Sequence, residues 1–113
     1  MISKQSRSEA LSALLDARMQ HTRWVKEATN NPTPKIEIHH TRCGFGRWLT
    51  SVKGDLTELS EFIALDQPHK ALHAAYKLLR ITPEQEQRKQ DILRLSAELI
   101  TRIDALEKRL QKR

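Results

Sequence analysis

The feature that most constrains this chain is a pair of apolar stripes at helical spacing, one near each end. Ala10, Leu14, Ala17, His21, Trp24 and Ala28 recur at gaps of three and four residues. Ile92, Leu95, Leu99, Ile103, Leu106 and Leu110 do the same. Such spacing places each set on one face of an α-helix, and each face must be buried against another. No stretch alternates like a strand, and Gly (3) and Pro (4) are scarce, so a helix bundle fits much better than a β-sandwich. The 113 residues suit one domain spanning 1–113, with a modest core.

Two more segments lie between the stripes. The first helix is expected from about Ser6 to Thr29, stopped by Asn30-Asn31-Pro32-Thr33-Pro34. A long loop over about 30–42 carries His39 and His40, and loops of that length are often functional. Cys43 to about Val52 reads as a short helix despite Gly44 and Gly46, ended by Lys53-Gly54-Asp55. Two glycines inside a helix suggest close backbone approach by a neighbour or ligand. The segment from Leu56 to Arg80 sets Leu59, Phe62, Asp66, His69, His73 and Tyr76 on one face. Pro68 predicts a break near Leu65–Gln67, with Asp66 as N-cap. Thr82, Pro83 and Gln85 read as a capping box opening a last helix over Pro83–Leu110. Leu93 and Ile100 fall off its stripe and offer surface for a dimer.

Four residues stand out chemically. His69 and His73 are four apart, so both rings share one helix face and can hold one ion. His21 interrupts an apolar stripe; it is either a core histidine satisfied by a carbonyl or a ligand. Cys43, the sole cysteine, forms no internal disulfide and is either a small buried hydrophobe or a thiolate ligand. Together Cys43, His21, His69 and His73 make a tetrahedral zinc set drawn from three elements.

The pattern His21-x-x-Trp24, Cys43-x-x-Gly46-x-Trp48 and Asp66-x-Pro68-His69-x-x-x-His73 resembles the bacterial chemoreceptor zinc-binding (CZB) domain over about residues 10–106. The resemblance implies an all-α four-helix bundle, with a short extra helix carrying the cysteine. It implies a 3His/1Cys zinc site, His21, Cys43, His69 and His73, with Asp66 as a surrounding partner, in a homodimer. Members regulate chemoreceptors or diguanylate cyclases in response to zinc or to oxidants acting on the cysteine. No receptor or cyclase lies within these 113 residues, so the resemblance leaves the output open.

The residues themselves suggest how such a site works. Zinc ligation needs the thiolate, so occupancy ties Cys43 down. A thiolate near Arg42 and Arg47 is open to oxidation to sulfenic acid, which would release the ligand. Asp66 either orients a liganding imidazole or caps the helix. Trp24 and Trp48 are read as packing around the metal, and His39 and His40 as loop residues or outer-sphere ligands.

The net charge of +6 keeps nucleic acid open as a partner, but the charges are scattered and no recognition motif accompanies them. The expectation is a solvated face and no nucleic-acid partner. No signal peptide or membrane-length apolar run is read, so the default setting is cytoplasmic and reducing. A basic helical nucleic-acid module and a zinc store or carrier are the alternative functions. Four protein ligands leave no open position for water, so an enzyme is not expected.

Overall fold

The computed structural model describes residues 2–30 and 43–111. Among these every regular element is helical: α1 (Lys4–Asn30), α2 (Gly44–Ser51), a 3-10 turn (Asp55–Glu58), α3 (Ser60–Ile63), α4 (Asp66–Ile81) and α5 (Gln85–Gln111). The all-α bundle expected from the stripes is what forms. Helices α1 and α4 both pack along α5, giving a body of 49 × 21 × 19 Å. The short α2 docks against α1 and carries Cys43 at its start, as expected.

The core follows the stripes closely. Ile92, Leu99, Ile103, Leu106 and Leu110 are buried along α5, with Leu95 partly so. Ala10, Leu14, Ala17, His21 and Ala28 are buried along α1. One position differs: Val25 takes the buried place and Trp24 is half-buried beside it. A ring as large as indole reaches neighbours from the stripe's edge, whereas valine must sit at its centre. Leu93 is exposed, while Ile100 packs partly against the core.

Local chemistry sets the ends. Ser3 caps α1, its Oγ accepting the Ser6 N–H at 3.0 Å. Gly54 makes the turn after α2 at φ +85°, a conformation that favours glycine. The break around Pro68 falls where expected, between α3 and α4, but Asp66 is not the cap. Leu65 holds that position, and its carbonyl accepts the His69 N–H at 3.3 Å. Pro68 has no N–H to donate to an Asp66 cap, and His69 has already given its own away. Asp66 is instead the first helical residue and Pro68 lies in the first turn, where a missing N–H costs nothing.

Helix α5 begins two residues later than the Thr82–Gln85 motif suggested. Thr82 Oγ1 does accept the Glu84 N–H at 3.3 Å. The Gln85 side chain, however, donates to the carbonyls of Leu79 at 2.6 Å and Thr82 at 2.9 Å. It thereby ties the end of α4 to the start of α5 and satisfies carbonyls the helix end would orphan. Further along, Arg18 of α1 clasps Asp104 and Glu107 of α5, its Nε lying 2.7 Å from Glu107 Oε1.

Candidate metal centre

Helix α4 supplies two imidazoles. His69 and His73, one turn apart, are 3% and 4% exposed, with ring centroids 4.8 Å apart and planes at 80°.

Helix α2 supplies the sulfur. Cys43 is its N-cap, in extended conformation, and Sγ accepts the Gly46 N–H at 3.2 Å. Sulfur fills the place that a serine or threonine oxygen commonly takes. Both that N–H and the positive end of the helix favour a thiolate there. A Cβ on Gly44 would meet Gln20 Oε1, the movable end of a side chain of α1, at 2.8 Å, and Gly46 is buried.

Cys43 Sγ lies 3.1 Å from His69 Nε2. One ligand atom each from Cys43, His69 and His73 falls within 4.8 Å of the others. Ligand atoms on a tetrahedral zinc sit about 3.3 to 3.6 Å apart, as follows from the usual Zn–S and Zn–N lengths. The three donors are thus drawn together on nearly the scale an ion requires. A thiolate with imidazoles is also the donor chemistry zinc favours.

Aromatic rings wall the cluster. Phe45 sets its edge against His69, with centroids 5.1 Å apart. Trp24 contacts His73 at 4.9 Å and Tyr76 at 5.3 Å. Trp48 lies a ring further out, 5.9 Å from Phe45 and 5.7 Å from Phe62. Trp24 therefore touches a cluster residue, and Trp48 buttresses the wall.

The chemoreceptor zinc-binding domain family model matches residues 19–79, more than half of the chain. The chain belongs to the CZB family. The matched span contains His21, Cys43, His69 and His73 and stops short of α5. No curated protein and no solved structure gives a significant match. This CZB domain binds zinc, and its Cys-His-His cluster is able to hold the ion.

His21 is placed differently from the other three. It is buried on α1, but outside the cluster, with Nε2 2.7 Å from Ser96 Oγ on α5. Burial first, and the charge of His73 second, push its pKa down to about 4, so the ring is neutral at physiological pH. Asp66 is exposed, with its carboxylate on Lys70 Nζ at 2.8 Å. That pair is one of the weak i,i+4 contacts of a solvated helix face. Arg47 is exposed on α2. His39, His40 and Arg42 lie outside the described residues.

Ser96 was not legible as a site residue, although a signal for it exists. It sits four residues after Ile92 and three before Leu99, the register that made His21 conspicuous on α1.

Proposed function

We propose that this CZB domain is a regulatory module in which His21, Cys43, His69 and His73 hold one zinc ion, with the Cys43 ligand as the movable part. The convergence of Cys43, His69 and His73 carries the reading. When bound, zinc supplies the charge that keeps Cys43 as a thiolate and joins α2 to α4. His69 and His73 hold their end from within one helix, where the rings are fixed by packing. Cys43 holds its end from the N-cap of a separate eight-residue helix.

Oxidation acts on the same atom. A peroxide-class oxidant accepts two electrons from the Cys43 sulfur, transferring one oxygen to form the sulfenic acid and leaving as water. Sulfenic sulfur is a poorer ligand than thiolate, so α2 is released from α4. Four protein ligands fill the tetrahedron, which fits a sensory role rather than a catalytic one. A homodimer and a signalling partner of the chemoreceptor or diguanylate cyclase type belong to the same reading. No helix among the described residues is long and apolar enough to cross a membrane.

The positive charge of α5 fits a solvated face better than a nucleic-acid footprint. Arg88 and Arg94 lie against Asp91, and Arg102 approaches Glu98. Lys108 and Arg109 occupy the last turn, where they complement the helix dipole.

Hydrogen–deuterium exchange of the zinc-loaded protein tests the reading. Chelator and peroxide should each raise exchange over Gly44–Ser51 while leaving Ile92–Leu110 protected. Equal protection of α2 in all three states would remove the switch and leave a static zinc site.

A further inference from the structure

The proposed zinc set has four members, and three of them stand together. The fourth, His21, is next to them yet engaged elsewhere. Its Nε2 is 2.7 Å from Ser96 Oγ, while Cys43, His69 and His73 are gathered within 4.8 Å without it. Ser96 belongs to α5, a helix that contributes no residue to the cluster and lies beyond the matched family span.

We infer that Ser96 is a positioning residue that holds His21 in reserve. The inference rests on the four-ligand reading above. A ring nitrogen hydrogen-bonded to a hydroxyl is not available to a metal, because one lone pair or one N–H cannot serve both. For His21 to become the fourth ligand through Nε2, it must exchange Ser96 for the ion. Occupancy of the site is thereby coupled to α5, the helix against which both α1 and α4 pack. Ser96 loses little by the exchange, since a helical serine hydroxyl has an alternative acceptor in the carbonyl one turn earlier.

The contrary arrangement makes an opposite prediction. If His21 ligated through Nδ1 and donated its Nε2–H to Ser96, the serine would orient the ligand, and losing it would weaken zinc binding about 10- to 100-fold. A reserve contact gives the other sign. Its removal should tighten binding about 2- to 10-fold, the range that one net hydrogen bond represents.

The test is a competition titration of zinc against a chromophoric chelator on the full chain, for wild type, Ser96→Ala and Ser96→Thr. Ser96→Ala binding more tightly than wild type, with Ser96→Thr restored to the wild-type value by its hydroxyl, is the expected result. Ser96→Ala with equal or weaker affinity overturns the inference, as does Ser96→Thr binding as tightly as Ser96→Ala. Cobalt(II) spectra of the same proteins report whether the loaded site is four-coordinate. Wild type that takes up no zinc would instead refute the four-ligand reading beneath it, which separates the two failures.

Discussion

Cys43 Sγ and His69 Nε2 lie 3.1 Å apart, one at the N-cap of α2 and the other in the first full turn of α4. Two helices separated by the 3-10 turn and α3 are joined through this contact. The proposed switch depends on what happens between these two atoms.

The metal-free protein should lose stability in acid through His21. Its pKa falls from 6.5 to about 4 on folding, by burial and then by the charge of His73. Between those values the unfolded chain binds the proton and the folded one does not, so stability rises with pH. The contribution is fully present above about pH 6.5 and is lost as pH falls toward 4. Urea titrations of metal-free protein should therefore show wild type losing about 2 to 3 kcal/mol more than His21→Leu between pH 7 and 4.5. Parallel pH profiles would mean that His21 is not buried as a neutral ring.

Trp24 should report on the metal. Its ring is 4.9 Å from His73, whereas Trp48 contacts Phe45 and Phe62 instead. A Trp48→Phe variant leaves Trp24 as the sole indole. Cobalt(II) should then quench most of its emission at one equivalent. Unchanged emission in a cobalt-loaded protein would show that the ion lies away from His73.

Leu99→Ala should cost about 2 to 5 kcal/mol in chemical denaturation. Leu99 is 1% exposed on the helix that both α1 and α4 share, so the lost side chain leaves a cavity. A loss below about 1 kcal/mol would show that α5 is less tightly packed than its burial implies.

Helical periodicity made most of this architecture legible. Spacings of three and four predicted α1, α4 and α5 and the buried positions on them, because a bundle core is a strip on each cylinder. His69 and His73 were legible as a pair since one turn of one helix fixes their neighbourhood. Cys43 was legible as the sole cysteine, in a Cys-x-x-Gly-x-Trp segment, completing a donor set with the histidines. Contacts between helices were less so. Asp66 read as a cap until Pro68 removed the donor, and it pairs with exposed Lys70. Trp24 and Val25 are consecutive and about 100° apart around the helix, and only their neighbours decide which is central. Ser96 required knowing which residue of α5 faces His21, a matter of rotation and register between helices that periodicity alone does not fix.

The central claim is that Cys43 and the three histidines hold one zinc, and metal content tests it most directly. Untagged protein, loaded with zinc and dialysed, should contain close to one equivalent by elemental analysis. Cys43→Ala should lose the metal under the same dialysis while remaining helical by circular dichroism. Wild type holding less than a tenth of an equivalent would contradict the claim, leaving the histidines as core residues and Cys43 as a helix cap. A Cys43→Ala protein that kept its full equivalent would contradict the role given to the sulfur.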